Sequence, residues 1–562
     1  MTGLAAVPPM GWNSWDVFGT SVTEAETRAN AEFVAEHMAG HGWEYVVVDI
    51  QWYDPAARAG GYNSGTKLAL DEYGLPQPAP NRFPSAAGGA GFKPLADYVH
   101  SLGLKFGVHI LRGIPRQAVA ADTPIKGSEY SAAQIPDRER RSSWVDDNWG
   151  IDHSHPGGQA YYDSLVRQFA DWGVDYVKAD DMIAPYWEDE VEAFWHAVAR
   201  ADRDIVLSLS PGMNLSTDHA EHLKAHSHLW RVSADLWDRW RDVNAQFDLL
   251  REWAPHAGPG HWPDADMLPL GRIGIRAEVG EARESQLSPD EQRTMLTLWC
   301  IARSPLMVGA DLPASSAETI ELLTNPEVLA AQRHPVGARE VWREGKHVAW
   351  ASEDGAFAAV FNRSPDAAEV QLPWHVLGAA RPERIRDCWT RSDLVPGERL
   401  RAKLPAHGSA LFRLSLRGGG VGHPLHELDD HAVGVGGLEV ALAPLLGLDR
   451  RGDRDPFGLH ARVLGVDVLD DEREEQAVGV ALRALGLEGG QARAQEDHVE
   501  TGVGAGEGHE AVGGHVLGEA VVALEELGGG GRVGDVERDG GRGDSHGRSL
   551  AGPVSSYVVY CT

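Results

Sequence analysis

A regular alternation constrains this chain more than any other feature. Through the first 325 residues, short apolar runs give way to longer stretches whose apolar residues recur at helical spacing. The runs fall at residues 9–12, 45–50, 105–110, 174–180, 205–210, 229–235, 262–267 and 306–309, with amphipathic stretches such as 23–40, 160–173 and 187–201 between them. A strand covered on both faces by helices reads as a continuous apolar run, so the pattern is the sequence form of a parallel sheet. Eight such units in roughly 300 residues fit an α/β chain closed as a (β/α)₈ TIM barrel, whose chemistry gathers at the carboxyl ends of the strands. We assign residues 1–330 to that barrel.

Past His334 and Pro335 the period changes to two. Short alternating runs at 341–342, 347–351, 357–362, 368–372, 384–389 and 409–414, punctuated by glycine and proline, predict an antiparallel β-sandwich over residues 331–417. Residues 418–562 contain no Lys, Asn, Ile, Met or Trp. Such a bias lacks the variety of side chains that a close-packed core requires. Three readings of this segment stand: a disordered tail, a weakly helical appendage, or off-frame translation of a GC-rich coding sequence. No function is assigned to it.

The chain of 562 residues carries a formal charge of −32 and an isoelectric point near 5.1. That surface repels nucleic acid and anionic membranes, so neither is expected as a partner. No 18-residue apolar run suggests a membrane span. The opening residues lack a basic, apolar leader, which makes a cytoplasmic location the expectation. Cys300, Cys388 and Cys561 are too far apart to suggest a disulfide framework or a zinc site. His153 and His155 are conceivable metal ligands, yet that spacing alone is a weak signal and surface-loop histidines are the simpler reading. No cofactor or metal is expected; a homo-oligomer is open. All 19 tryptophans precede residue 390, many beside acids or glycines. Indole faces suit the C–H faces of sugars and carboxylates accept from hydroxyls, so a carbohydrate is the expected substrate.

The run Val174-Asp175-Tyr176-Val177-Lys178-Ala179-Asp180-Asp181 delivers a lysine and two acids to a strand end. Buried charge there is costly unless the groups meet one another or a ligand. A structural ion pair would satisfy them equally well. Two further strand ends tilt the reading toward chemistry. Arg231 is followed by Asp235, and Asp264 and Asp266 lie in the seventh run. Asp180 and Asp235 come from different strands and can flank a bound sugar ring, which is what glycoside hydrolysis through an oxocarbenium-like transition state needs.

These segments, together with Pro9-Met10-Gly11-Trp12-Asn13-Ser14-Trp15 and the stretch from Gly258 to Leu268, resemble glycoside hydrolase family 27, the α-galactosidase or melibiase family, over about residues 7–415. The resemblance implies a (β/α)₈ barrel followed by an antiparallel β domain, metal-independent chemistry and retention of anomeric configuration. It also implies Asp180 as nucleophile and Asp235 as acid/base, with Trp15, Asp49, Lys178, Arg231 and Asp266 contacting the sugar. Asp235 must then hold a proton as substrate arrives, which calls for burial or the nearby charge of Asp180. Asp264 caps or orients its loop and is kept out of the set.

Three departures from the family's usual pattern bear on the sugar. Where α-galactosidases commonly carry two adjacent acids after the second strand, this chain has Asp49-Ile50. Isoleucine removes an acceptor and crowds the hydroxymethyl group of galactose, whereas L-arabinopyranose has the same ring stereochemistry and lacks that group. The family also includes β-L-arabinopyranosidases. His109 replaces a frequent tyrosine, and Ser208-Leu209-Ser210-Pro211 stands where Cys-Glu-Trp is common, with Ser210 as a substitute contact. The expected activity is therefore a retaining exo-glycosidase acting on β-L-arabinopyranosides and α-D-galactosides. An ordinary α-galactosidase is the nearest rival, and a non-catalytic carbohydrate-binding barrel is the alternative of another class.

Overall fold

The computed structural model describes residues 3–416. The biased segment at 418–562 and Cys561 lie outside the described residues. Eight parallel strands form one sheet: β1 (Met10–Asn13), β2 (Tyr45–Val48), β3 (Lys105–Leu111), β4 (Tyr176–Asp180), β5 (Val206–Leu209), β6 (Leu229–Arg231), β7 (Trp262–Asp264) and β8 (Leu306–Val308). They pair in the order β7-β6-β5-β4-β3-β2-β1-β8. A parallel bridge between Leu268 and Val308 joins the two ends and closes the barrel. The eight helices that follow these strands in turn are α1 (Glu24–Phe33), α2 (Lys93–Ser101), α3 (Pro156–Trp172), α4 (Glu188–Arg200), α5 (Ala220–His226), α6 (Trp240–Trp253), α7 (Pro289–Ala302) and α8 (Ala317–Leu323).

Period-two alternation sorts the strand residues into two packed sets. Val46, Val48, Phe106, Val108, Val177, Ala179, Leu207 and Trp230 belong to the large core under the helices. Tyr45, Val47, Tyr176, Val206, Leu229, Trp262 and Met307 form a second cluster, the barrel interior. Continuing the interior parity toward the carboxyl ends gives Asp49, Lys178, Asp180, Ser208, Arg231 and Asp264. The interior is thus apolar below and polar at its rim.

Five of the eight expected runs, 45–50, 205–210, 229–235, 262–267 and 306–309, overrun the observed strands at their carboxyl ends. Side chains there capture the backbone N–H groups that a ladder would otherwise use. Asp49 Oδ1 accepts from Ile50 N, Asp180 Oδ1 from Asp181 N and Asp264 Oδ1 from Asp266 N, at 2.8 to 2.9 Å. The helix expected over 23–40 forms over that length but changes type along it. Helix α1 starts on a Thr23–Glu26 capping box, then widens into a π-turn at Val34–Met38 and ends at Gly42, which takes φ +90°.

One further helix, α9 (Pro326–Gln332), leads from α8 to the antiparallel strands. Strands β9 (Ala338–Glu344), β10 (His347–Ser352), β11 (Phe357–Asn362), β13 (Arg384–Asp387), β14 (Ser392–Leu394) and β16 (Ser409–Ser415) form a sheet ordered β9-β10-β11-β16-β13-β14. Strands β12 (Ala368–Pro373) and β15 (Arg399–Leu404) pair separately and enclose the second core with Val360, Phe412 and Leu414. Helix α7 carries this unit: Thr294 Oγ1 donates to His407 O and Trp389 Nε1 to Thr297 Oγ1.

Candidate active site

The rim is built around Asp49 and Asp180. Asp49 Oδ2 accepts from Asn13 Nδ2 at 2.8 Å and from Lys178 Nζ at 3.0 Å, while its backbone N–H is held by Ser14 Oγ. Burial pushes the Asp49 carboxyl up, but the charges of Lys178 and His109 and the Ile50 N–H outweigh it, and the group sits below its ordinary value. Asp180, 14% exposed, accepts from His109 Nε2 at 2.9 Å and from Asp181 N at 2.8 Å. Burial again opposes ionisation. The His109 bond, the Lys178 charge and the Asp181 N–H together hold Asp180 well below the carboxylate range. Lys178 is buried, yet Asp49, Asp180 and Asp235 keep its ammonium charged with a raised pKa.

On the opposite wall Arg231 Nη1 meets Asp266 Oδ1 at 2.7 Å and Nη2 meets Asp235 Oδ1 at 3.2 Å. Burial lowers the guanidinium, but Asp266 and Asp235 raise it further than burial can offset. Asp266 takes φ +81° and Asp181 φ +61°, left-handed values uncommon outside glycine. Asp181 directly follows Asp180 and pairs with Arg112 at 2.9 Å, while Asp266, two residues after Asp264, pairs with Arg231.

The expected site residues do gather here, with two differences. His109 is wholly buried and its Nε2 is bonded to Asp180, so it supports that carboxylate. Of the two supports expected for a protonated Asp235, burial or the Asp180 charge, burial is absent: its side chain is 37% exposed and pairs with Arg231. Ile50 is buried in the same cluster as Trp15, Tyr45 and Val47, next to Asp49. Trp15 Nε1, Ser210 Oγ and Arg231 Nε are buried without hydrogen-bond partners among the described residues. Unpaired buried donors at a rim are costly, and a polyhydroxylated ligand would satisfy them.

The loops add groups that strand patterns do not announce. Tyr62 stacks on Trp15 with centroids 5.3 Å apart and meets Trp144 at 4.8 Å, forming an aromatic wall. Burial and the charges of Asp235, Glu278 and Asp180 push the Tyr62 phenol far up. Tyr62 and Trp144 also line an open cleft of about 580 Å³ with Glu139, Arg141 and Asp146. Asp16, beside Trp15 in the first motif, is fully buried with Oδ2 unpartnered; burial and the neighbouring acids Asp266 and Asp235 push it well up. Asn13 was visible in that motif; Tyr62 and Trp144 sit in irregular loops with no periodic signal. His153 and His155 are used elsewhere. His153 pairs with Glu190 at 3.0 Å, and His155 Nδ1 accepts from Gly157 N at the start of α3.

Asp49, Asp180, Asp235 and Asp266 with two cations at the carboxyl rim of a closed parallel barrel, and aromatic faces beside them, fit the site of a glycoside hydrolase. Comparison with known proteins makes the class specific. The family profile described as Alpha galactosidase A matches residues 145–334, and the one described as Alpha galactosidase C-terminal beta sandwich domain matches residues 344–414. A β-L-arabinopyranosidase of glycoside hydrolase family 27 from Geobacillus stearothermophilus, solved in complex with arabinose, is 48% identical with a TM-score of 0.72, covering 73% of this chain and 97% of that one. Its wild-type structure gives the same identity and TM-score over 74% and 98%. The α-galactosidase of Cyamopsis tetragonoloba is 29% identical over 428 residues, 74% of this chain and 88% of the relative. The chain belongs to glycoside hydrolase family 27. Among the described residues no helix is long and apolar enough to cross a membrane.

Proposed function

We propose that this glycosidase is a retaining, exo-acting enzyme that releases terminal β-L-arabinopyranose and acts more slowly on α-D-galactosides. Asp180 attacks the anomeric carbon as its bond to the aglycone oxygen breaks, and Asp235 gives that oxygen a proton. Water then attacks the same carbon, Asp235 takes a proton from it, and the ester bond to Asp180 breaks, so two inversions return the original configuration. The low basicity of Asp180 keeps it ionised and ready to attack. Asp49 and Asp266 accept from ring hydroxyls, Lys178, Arg231 and Ser210 donate to them, and Trp15 covers the apolar ring face. A sugar seated there covers the exposed side of Asp235.

One observation carries the choice of sugar: the buried Ile50 beside Asp49. A hydroxymethyl group on C5 finds a branched hydrocarbon there, loses a hydrogen bond and crowds the wall. The two costs together amount to a few kcal/mol, on the order of 100-fold in kcat/KM. The 48% identity to a β-L-arabinopyranosidase supports the same reading. Hydrolysis of nitrophenyl β-L-arabinopyranoside and α-D-galactopyranoside by the wild type and Ile50→Asp tests it. The wild type should prefer the arabinoside, and Ile50→Asp should gain on the galactoside. A wild-type preference for the galactoside, or no gain in the variant, removes Ile50 as the selector. The anomer first released, read by proton NMR, checks retention.

A further inference from the structure

We propose that Glu192, His222 and His226 form a binding site for a zinc-class divalent ion that clamps α4 to α5, outside the catalytic rim. One ligand atom from each side chain lies within 4.8 Å of the others. His222 and His226 stand four residues apart on α5, so both rings project from one face of the helix. Their centroids are 4.3 Å apart. Glu192 reaches them from α4, with Oε1 3.4 Å from His222 Nε2.

The hydrogen bonds on the far side of each ring are those that metal-bound histidines use. His226 Nδ1 lies 2.9 Å from the backbone oxygen of His222. A carbonyl only accepts, so Nδ1 carries the proton and Nε2 of the neutral ring keeps a free lone pair. His222 Nδ1 lies 2.6 Å from the Tyr186 hydroxyl, which both donates and accepts. When an ion takes His222 Nε2, the ring proton sits on Nδ1 and is donated to the tyrosine oxygen. Outer partners of this kind fix ring orientation and tautomer.

Two imidazoles and a carboxylate suit zinc, cobalt(II) or nickel(II) better than calcium or magnesium, which prefer all-oxygen sets. Bonds of about 2.1 Å in a tetrahedral set need ligand atoms roughly 3.4 Å apart; Glu192 Oε1 and His222 Nε2 already have that spacing, and small side-chain turns would close the set from within 4.8 Å. The His222 side chain is 16% exposed and that of Glu192 45%, so an ion has an entry path and water completes the set. Glu188 Oε1, 3.7 Å from His222 Nε2, adds negative charge at the opening. The role is structural: Tyr186 belongs to the loop that follows Asp180, and the ion would fix that loop through His222.

The test uses the full chain, stripped with a chelator and dialysed against micromolar free zinc. Zinc content and thermal midpoint are then measured for the wild type and the double variant His222→Gln/His226→Gln. The variant should bind one equivalent fewer and lose most of the zinc-dependent rise in midpoint. Histidines elsewhere contribute equally to both proteins and cancel in the difference. If the double variant does not fold, judged by hydrolysis of a nitrophenyl glycoside without zinc, His226→Gln takes its place. Equal zinc content and equal midpoint shifts overturn the proposal.

Discussion

Asp180 has both oxygens engaged before any substrate arrives, one by His109 and one by the N–H of Asp181. In the proposed mechanism the His109 bond sets how low in pH Asp180 stays ionised. His109→Leu removes the donor, so the Asp180 pKa rises and the acid limb of the kcat/KM profile should move to higher pH. Looser positioning of the carboxylate should cost on the order of 100-fold in kcat. An unmoved acid limb in a folded variant would show that His109 does not act through Asp180. Its role was not readable from the sequence, where only the departure from tyrosine stood out. The parallel register pairs His109 with Lys178 across β3 and β4, which sets the ring just below the Asp180 carboxylate.

Among the elements, the first strand shows why small residues sit where bulky ones would pack. A Cβ on Gly11 would lie 2.5 Å from Tyr45 O and 2.6 Å from Tyr45 Cβ. On Gly107 it would lie 3.0 Å from Val47 Cγ2 and 3.1 Å from Tyr176 Cβ. The two glycines make room for Tyr45 and Tyr176, whose rings meet at 5.4 Å in the barrel interior. Gly11→Ala therefore has to move β1 against β2 and should destabilise the protein by about 1 to 3 kcal/mol. Urea unfolding measures this, and an unchanged midpoint would mean the strands yield freely. The barrel strands and three of the barrel helices were legible in the sequence; the strands at 392–394 and 399–404 were not. Nor were the carboxyl ends of the barrel strands, because side-chain acceptors such as Asp264 end the ladders there.

Across the whole molecule, buried carboxyls pull stability in opposite directions with pH. Asp49, Asp180 and Glu190 lie below their ordinary values, so their contribution is present above the unfolded values of 3.8 and 4.5 and is lost as pH falls through the folded ones. Asp147 is the opposite case. Burial lifts it to about 6 against the hydrogen bonds from Gln51 and Tyr53. The fold favours its protonated form, so that contribution is full below 3.8 and is lost as pH rises through about 6. Thermal midpoints should therefore pass through a maximum at mildly acidic pH. Asp147→Asn keeps an acceptor and should flatten the decline on the alkaline side. A midpoint rising steadily from pH 4 to 8, or an unchanged slope in the variant, would contradict this balance.

The barrel, the sandwich that follows and the strand ends carrying Asp180, Arg231 and Asp266 were readable from the residues alone. Burial on both faces leaves a mark in every residue of a strand, and charge at the end of such a run stands out against it. Only the folded chain shows that His109 supports Asp180, that Asp235 is open to solvent, and that Tyr62 and Trp144 complete the aromatic wall. It also brought Glu192 of one helix to the histidines of the next. Those relations join residues on different elements or in irregular loops. Their proximity is set by strand register and helix packing, which no local period records.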